Sequence, residues 1–223
     1  MIEFQIDGRT INGYLAEPAH SSGPGVLVLH AWWGLTEPFR QACDRLAEAG
    51  FVALAPDLYH GKTTASVEEA EALGGALDQD EERWRGDIAG ALQFLRQRNA
   101  ANNRGKLALV GFSLGGAYAL DTSVTLAEQI AAVVTFYDSY PGLDYNKASA
   151  TYLCHFAEED QFVPTEPIVA MEQQLQAADK QHTFYTYPGT RHWFVEENRP
   201  EYNAEAARLA WKRTIEFLHQ QLD

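Results

Sequence analysis

The chain has 223 residues, which is enough for one sizeable hydrophobic core and short of what two ordinary domains need. Apolar residues make up 46% of it and charged residues 22%, the balance of a globular protein. The 31 acidic residues outnumber the 17 basic ones, giving a formal charge of −14, so phosphate backbones and anionic lipid surfaces would repel the chain. We therefore expect neither a nucleic acid nor a membrane as partner, and the charge favours solubility.

The cysteines and the N-terminus indicate a cellular location. Cys43 falls in a helical pattern and Cys154 in an apolar strand pattern, so we expect buried free thiols and no disulfide. Residues 1–7 have no basic segment followed by an apolar stretch, unlike a signal peptide. Every apolar run is far shorter than the ~20 residues of a membrane-spanning helix. These features predict a cytoplasmic protein.

Strand and helix patterns alternate along the chain. Two alternating segments, 3–6 and 10–16, flank the turn pair Asp7-Gly8 and predict an antiparallel hairpin. The later strand patterns include continuous apolar runs typical of buried parallel strands; they span 26–30, 51–55, 106–110, 130–137, 151–156 and 182–187. The helical patterns span 38–49, 82–98, the residues after Ser113, 164–178 and 203–222. One α/β domain over residues 1–223, with a doubly wound and mostly parallel sheet, accounts for this order.

The segment 60–80 is the exception to the regular alternation. It begins with a Gly- and Thr-containing stretch and continues as an acidic helical pattern interrupted by Gly74-Gly75. We expect it to be a mobile excursion near the mouth of the site.

A glycine-flanked serine follows the strand at 106–110. The sequence Gly111-Phe112-Ser113-Leu114-Gly115 has the pattern G-x-S-x-G between a buried strand and a helix, the context that a nucleophile elbow requires. Side chains at 111 and 115 would collide with neighbouring backbone in so tight a turn. The helix N-terminus would also favour a developing oxyanion. The pattern predicts Ser113 as a nucleophile, and the alternative is a plain Gly-rich turn.

A serine nucleophile needs a base, and the chain has seven histidines. In proteins with this elbow the histidine follows the serine and the acid, which excludes those that precede Ser113: His20, His30 and His60. Three others lie within predicted strands or the last helix, where a structural role is usual: His155, His182 and His219. His192 instead follows a predicted turn at 187–191, after the last strand, where α/β folds place their sites. It is the predicted base.

A carboxylate must hold the imidazole in the correct tautomer. Asp160 lies just past the strand that precedes the last one, and it is the predicted acid. Asp138, which ends the strand before that, is a competitor, as are the neighbouring Glu158 and Glu159.

Several motifs together resemble the dienelactone hydrolase family, a compact branch of the α/β-hydrolases, over nearly the whole chain. The similar segments are AWWGL at 31–35, GFVALAPDLY at 50–59, GFSLGG at 111–116, DQFVP at 160–164, YPG at 187–189 and HWF at 192–194. The resemblance implies an α/β-hydrolase fold with a minimal cap or none, and it supports Asp160 and His192 as catalytic. It also implies an oxyanion hole made by the backbone N–H of Leu114 and one from the loop 31–33, with Trp32 as the favoured donor.

Three positions depart from the dienelactone enzymes that the chain resembles. Those enzymes carry cysteine where this chain has Ser113, glutamate where it has Ala31, and a substrate-holding arginine where it has Glu196. A serine nucleophile needs no thiol-tuning glutamate, so the first two departures are consistent with each other. The three together predict a different substrate.

Several aromatic residues fall near the predicted mouth of the site. They are expected to line an apolar acyl or alcohol pocket, and the alternative is ordinary packing: Trp32, Trp33, Tyr59, Phe112, Tyr137 and Trp193. Arg191 is either a ligand for an anionic group or a solvated loop residue. His30 and His60 have no partner at ligand spacing, so we expect no metal, and no organic cofactor motif is present.

These features predict a serine hydrolase that cleaves a small-molecule carboxylic ester, lactone or thioester through an acyl-enzyme. An acyltransferase or a peptidase on the same fold, and a non-catalytic ligand-binding relative, are the alternatives. The natural substrate and the oligomeric state stay open.

Overall fold

The computed structural model describes residues 1–6, 8–19, 22–98 and 107–222, and of Arg9 only the backbone. Three residues used in the predictions lie outside these ranges: Asp7 of the hairpin turn, His20, and Lys106 at the start of a predicted strand. The chain divides into two compact units, Met1–Leu107 and Ala108–Asp223.

In the first unit, the residues that the structure describes form four strands and three helices. Its strands are β1 (Ile2–Ile6), β2 (Arg9–Ala16), β3 (Gly25–Leu29) and β4 (Val52–Pro56), and they lie side by side in the order β1-β2-β4-β3. Its helices are α1 (Glu37–Glu48), α2 (Val67–Asp78) and α3 (Glu81–Arg98). The pairs β1–β2 and β2–β4 are antiparallel, whereas β3–β4 is parallel. The predicted N-terminal hairpin is therefore confirmed.

The second unit contains the remaining elements, except that β5 begins with the last residue of the first unit. They are β5 (Leu107–Phe112), α4 (Leu114–Thr125), β6 (Ile130–Phe136), β7 (Thr151–Glu159), α5 (Thr165–Ala177), β8 (His182–Arg191) and α6 (Ala204–Leu222). The strands lie in the order β5-β6-β7-β8, and β6–β7 and β7–β8 are parallel. The described residues thus form eight strands, mostly parallel, which confirms the predicted α/β class.

Local sequence explains where several of these elements end. Helix α1 stops because Gly50 adopts a left-handed backbone with φ of 99°, while the N–H groups of Gly50 and Phe51 donate to the carbonyls of Ala47 and Leu46. Strands β3, β4 and β5 are completely buried, as their continuous apolar runs predicted. Both cysteines are buried free thiols, as predicted.

The last strand is longer than predicted. We expected it to end at Tyr187 and a turn to follow at 187–191, but β8 continues to Arg191. Between the pairs Ala157–Tyr187 and Glu159–Arg191, two steps along β7 match four steps along β8, so the extra residues form a bulge. Gly189 has φ of 64° there, and its N–H donates to Glu158 Oε2. The predicted turn is wrong because a bulge on an edge strand accommodates proline and glycine without ending the pairing.

The acidic segment after residue 66 is a regular helix, α2. The Ser66 hydroxyl accepts the Glu69 N–H at its start, and the pair Gly74-Gly75 does not interrupt it. Ala70 and Leu77 are buried, and α2 packs against α3. The expected mobility of residues 60–80 stays a prediction. Within the described ranges, no helix combines the length and the apolar character that crossing a membrane requires.

Candidate active site

Ser113 lies at the turn between β5 and α4 in a strained backbone conformation. Its φ and ψ are 49° and −124°, and its N–H donates to the Phe136 carbonyl over 3.0 Å. A Cβ atom at Gly111 would lie 2.3 Å from the carbonyl oxygen of Gly115 and 2.7 Å from the Cα of Gly116. Real contacts are never so short, so the turn requires glycine at position 111. The predicted nucleophile-elbow geometry is present at Ser113.

The three predicted side chains of the site form one hydrogen-bonded chain. His192 follows directly after β8, and its Nε2 lies 3.0 Å from Ser113 Oγ. Its Nδ1 lies 2.8 Å and 2.9 Å from the two carboxylate oxygens of Asp160. The side chains of His192 and Asp160 are only 3% and 4% exposed. In this arrangement Nδ1 carries the proton that the carboxylate accepts, which leaves Nε2 free to accept the serine proton.

Asp160 is itself held by the backbone that follows β7. Its Oδ1 accepts the N–H groups of Phe162 and Val163 over 2.9 Å and 3.0 Å. These bonds orient the carboxylate toward the imidazole.

The competing acids of the sequence analysis have other surroundings. The Asp138 carboxyl packs over Gly116, and its Oδ2 is buried with no hydrogen-bond partner among the described residues. Burial raises the pKa of Asp138 to about 8, so this carboxyl is protonated at neutral pH. Glu158 accepts the Gly189 N–H, and Glu159 pairs with Arg191 over 3.5 Å.

Aromatic rings surround the imidazole of His192. The ring centroids of Tyr137, Phe162 and Trp193 lie 4.7 Å, 5.0 Å and 5.1 Å from that of His192. A cleft of about 150 Å³ opens beside this cluster, and its lining residues are Glu159, Gln161, Arg191, His192, Trp193 and Glu201. Trp193 and Arg191, both named from the sequence, therefore border a cleft that reaches the predicted base.

Phe112 and Tyr137 have different surroundings. The ring centroid of Phe112 lies 4.7 Å from that of Phe136, on which it stacks, and 6.1 Å from that of Trp211. These contacts are ordinary packing, which the sequence analysis gave as the alternative to a pocket role. The Tyr137 hydroxyl donates to Glu196 Oε1 over 2.6 Å inside the protein. The sequence analysis did not predict this pair, because a glutamate near other polar residues is usually solvated. The position of Glu196, four residues after His192, was the one indication that it lies near the site.

The first unit contains the remaining residues predicted for the site, which are Trp32 and Trp33 in the loop after β3 and Tyr59 after β4. His30 shapes this loop: its Nε2 accepts the Leu58 N–H over 3.2 Å, so its Nδ1 donates to the Ala31 carbonyl over 2.8 Å. Burial lowers the pKa of His30, which keeps the ring neutral. Trp33 and Tyr59 are buried. The role of Trp32 as an oxyanion donor, and those of Trp33 and Tyr59 in a pocket, stay predictions.

The remaining histidines near these elements have structural partners. His155 is fully buried in β7, where its two ring nitrogens lie 2.8 Å from the Tyr187 hydroxyl and 3.0 Å from the Thr214 hydroxyl. Burial lowers its pKa to about 3. His60 pairs with Asp87 over 2.8 Å. In the part of the chain that the structure describes, no three His, Cys, Asp or Glu side chains cluster as metal ligands.

Known proteins are similar to this chain over its whole length. The sequence model of the dienelactone hydrolase family matches residues 11–222. "Protein usf" of Aquifex pyrophilus is 30% identical over 229 residues, covering 100% of this chain and 98% of that protein. A Bradyrhizobium protein named "Probable 2-oxo-3-(5-oxofuran-2-ylidene)propanoate lactonase" is 28% identical, with 99% and 94% covered. A solved dienelactone hydrolase-like promiscuous phosphotriesterase from metagenomic libraries is 21% identical, has a TM-score of 0.85 and shares the fold over 100% of this chain and 97% of that chain.

Proposed function

Because this chain belongs to the dienelactone hydrolase family, we propose that it hydrolyses a small carboxylic ester, lactone or thioester through an acyl-enzyme formed on Ser113. The observation that carries the proposal is the continuous chain from Ser113 Oγ through both ring nitrogens of His192 to Asp160. The name of the lactonase relative supports a substrate with an ester or lactone bond.

The geometry supports a two-step mechanism. In the first step His192 Nε2 takes the proton of Ser113 as Oγ attacks the carbonyl carbon, and the same proton then passes to the departing alcohol or thiol. In the second step His192 takes a proton from water as the water oxygen attacks the acyl carbon, and it returns that proton to Ser113. Asp160 keeps Nδ1 protonated and stabilises the imidazolium that forms in each step.

The backbone around Ser113 supports a site for the oxyanion. Leu114 is the first residue of α4, and its N–H belongs to the group of helix N-terminal donors that have no partner within the helix. In the proposed mechanism this N–H, together with that of Trp32, stabilises the negative charge of the tetrahedral intermediate.

The surroundings of His192 favour a substrate other than dienelactone. By resemblance, position 196 is where the dienelactone enzymes hold a substrate carboxylate with arginine, and here it is Glu196, which is 1% exposed. We therefore propose that the substrate is held without a cation at this position. Its acyl or alcohol group would lie near the cleft beside Trp193.

A panel of short p-nitrophenyl esters, tested with the wild type and with Ser113→Ala, examines this proposal. We expect hydrolysis by the wild type, a loss of at least ~10³-fold in Ser113→Ala, and labelling of Ser113 by a fluorophosphonate. Equal rates for both proteins would instead favour a non-catalytic binding protein. Product analysis with added alcohols or amines separates hydrolysis from acyl transfer.

A further inference from the structure

Tyr137 follows β6 in an unusual backbone conformation directly beside the site. Five non-glycine residues have positive φ among those described: His60, Ser113, Tyr137, Asp179 and Trp193. Three of them, Ser113, Tyr137 and Trp193, belong to one cluster around His192. Left-handed backbone at a bulky residue is disfavoured and persists where the surrounding contacts hold it, often at functional sites. The strained backbone of Tyr137 therefore indicates that the position of its side chain is constrained by function.

The ring and the hydroxyl of Tyr137 have separate contacts. The ring is fully buried, and its centroid lies 4.7 Å from that of the His192 imidazole and 5.8 Å from that of the Phe194 ring. The hydroxyl donates to Glu196 Oε1 over 2.6 Å, and Glu196 is also buried. Since the backbone N–H of Tyr137 donates to the His155 carbonyl over 2.7 Å, the residue is anchored at both ends.

Glu196 belongs to the same short segment as His192. Its N–H donates to the Trp193 carbonyl over 2.9 Å, and its carbonyl accepts the Arg199 N–H over 3.0 Å. The bond between Tyr137 and Glu196 thus ties the end of β6 to the segment that carries the imidazole. The bonds from His192 to Ser113 and Asp160 involve the ring nitrogens, whereas the Tyr137 ring packs against the imidazole, at an angle of 53° between the two ring planes.

We infer that the buried hydrogen bond between Tyr137 and Glu196 positions the imidazole of His192 for proton transfer from Ser113, an inference that rests on the proposed function. Tyr137 and Glu196 are positioning residues. The Glu196 carboxyl accepts a hydrogen bond inside the protein, and it does not bind the substrate. Neither residue exchanges a proton in the reaction.

Tyr137→Phe tests the inference because it keeps the ring and removes only the hydroxyl. We expect kcat for a p-nitrophenyl ester to fall about tenfold while KM stays within about twofold, since small misplacements of a catalytic group slow the chemical step. Glu196→Gln keeps an oxygen acceptor and should stay within about twofold of the wild-type kcat. Tyr137→Phe added to Glu196→Ala should cause no further loss, since both changes remove the same bond.

Tyr152→Phe is the matched control. Tyr152 is another buried tyrosine of the second unit, and its hydroxyl lies 2.9 Å from the Ser123 hydroxyl. We expect this variant to lower the melting temperature without changing kcat, when all proteins are assayed well below their melting temperatures. An equal loss of kcat in Tyr152→Phe, or as large a loss in Glu196→Gln as in Tyr137→Phe, would overturn the positioning role.

A readout without substrate separates this inference from the proposed function. In protein with ¹⁵N-labelled histidine, we expect the ring signals of His192 to shift or broaden in Tyr137→Phe and to keep their wild-type positions in Tyr152→Phe. Unchanged His192 signals in Tyr137→Phe would overturn the inference even if the enzyme is active. A wild type that neither cleaves esters nor reacts with a fluorophosphonate would overturn the proposed function, whatever the NMR result.

Discussion

Two aspartates that follow the neighbouring strands β6 and β7 differ in what their carboxyl groups contact. Asp160 accepts two backbone N–H groups and the imidazole N–H of His192. Asp138 lies over Gly116, and burial holds its pKa near 8. The Asp160 carboxylate therefore has three hydrogen-bond donors, whereas burial raises the pKa of the Asp138 carboxyl.

Asp160→Asn should lower kcat strongly with little effect on folding. An asparagine amide favours the wrong imidazole tautomer, and the loss in a comparable triad is about 10⁴-fold. We expect a loss of that order for ester hydrolysis, measured at saturating substrate. The matched variant Asp138→Asn should retain most of the activity, because an amide resembles the protonated carboxyl.

The stability of Asp138→Asn provides a second check with a defined sign. The unfolded chain releases the Asp138 proton near its ordinary pKa of 3.8, whereas the native state keeps it up to about pH 8. The native state of the wild type thus binds more protons between these values, so its free energy of unfolding falls as pH rises through this range. Relative to the wild type, Asp138→Asn should gain stability from pH 4 to 8, by up to about 1.4 kcal/mol per pH unit. A constant difference across urea titrations at these pH values would contradict this.

At the scale of elements, the turn from β5 into α4 has no room for a side chain at its glycine, whereas the helix α2 does. At Gly111 a side chain would meet the backbone of Gly115 and Gly116, whereas at Gly75 no heavy atom beyond its chain neighbours and the nearby backbone of its own helix lies within 4 Å of a Cβ. The first glycine is required by close backbone approach, and the second only lowers the helix propensity of α2.

Gly111→Ala should destabilise the protein by about 1–3 kcal/mol, the usual cost of forcing an extra carbon into packed structure. The same change should slow the labelling of Ser113 by a fluorophosphonate, because the turn that holds the serine must shift. Gly75→Ala should instead stabilise the protein by about 0.5–1 kcal/mol and leave labelling unchanged. Urea unfolding and labelling rates measured on both variants test the pair, and an equal effect of the two changes would exclude this account of the elbow.

At the scale of the molecule, each compact unit contains one buried thiol. Cys43 lies in α1 of the first unit, and Cys154 lies in β7 of the second. Burial raises the pKa of both thiols, that of Cys154 to about 12, so both are thiols at neutral pH and inert while the structure is closed. Chemical modification of each thiol therefore indicates when the unit that contains it unfolds.

The sequence analysis predicted one domain over residues 1–223, and on that basis we propose that the two units unfold together. In that case iodoacetamide should modify neither cysteine in the native protein, and in a urea titration both should become reactive at one midpoint. Mass spectrometry of the two cysteine peptides distinguishes them. Modification of Cys43 at a clearly lower urea concentration than Cys154 would indicate separate domains. Ester hydrolysis should survive iodoacetamide treatment, because the proposed nucleophile is a hydroxyl.

The sequence by itself determined the features that depend on short-range sterics and hydrogen bonding. The glycines around Ser113 predicted the strained turn, the apolar runs predicted the buried strands, and Gly50 marked the end of α1. The order of motifs and the resemblance also predicted Ser113, Asp160 and His192 as one candidate site, with competing acids left open. The predictions of the turn, the buried strands and the helix end were confirmed because each depends on a few neighbouring residues, whose allowed backbone conformations and burial are largely local properties.

Only the tertiary structure decided which groups meet across the chain. The sequence left Asp138 open beside Asp160, because parallel strands bring all their carboxyl ends to one edge and spacing alone does not select a partner. The bulge at Gly189 depends on pairing with β7, and the burial of Glu196 depends on the hydroxyl of Tyr137, 59 residues away in the chain. Through-space distance and exclusion of water decide such contacts, and neither is a property of a local segment.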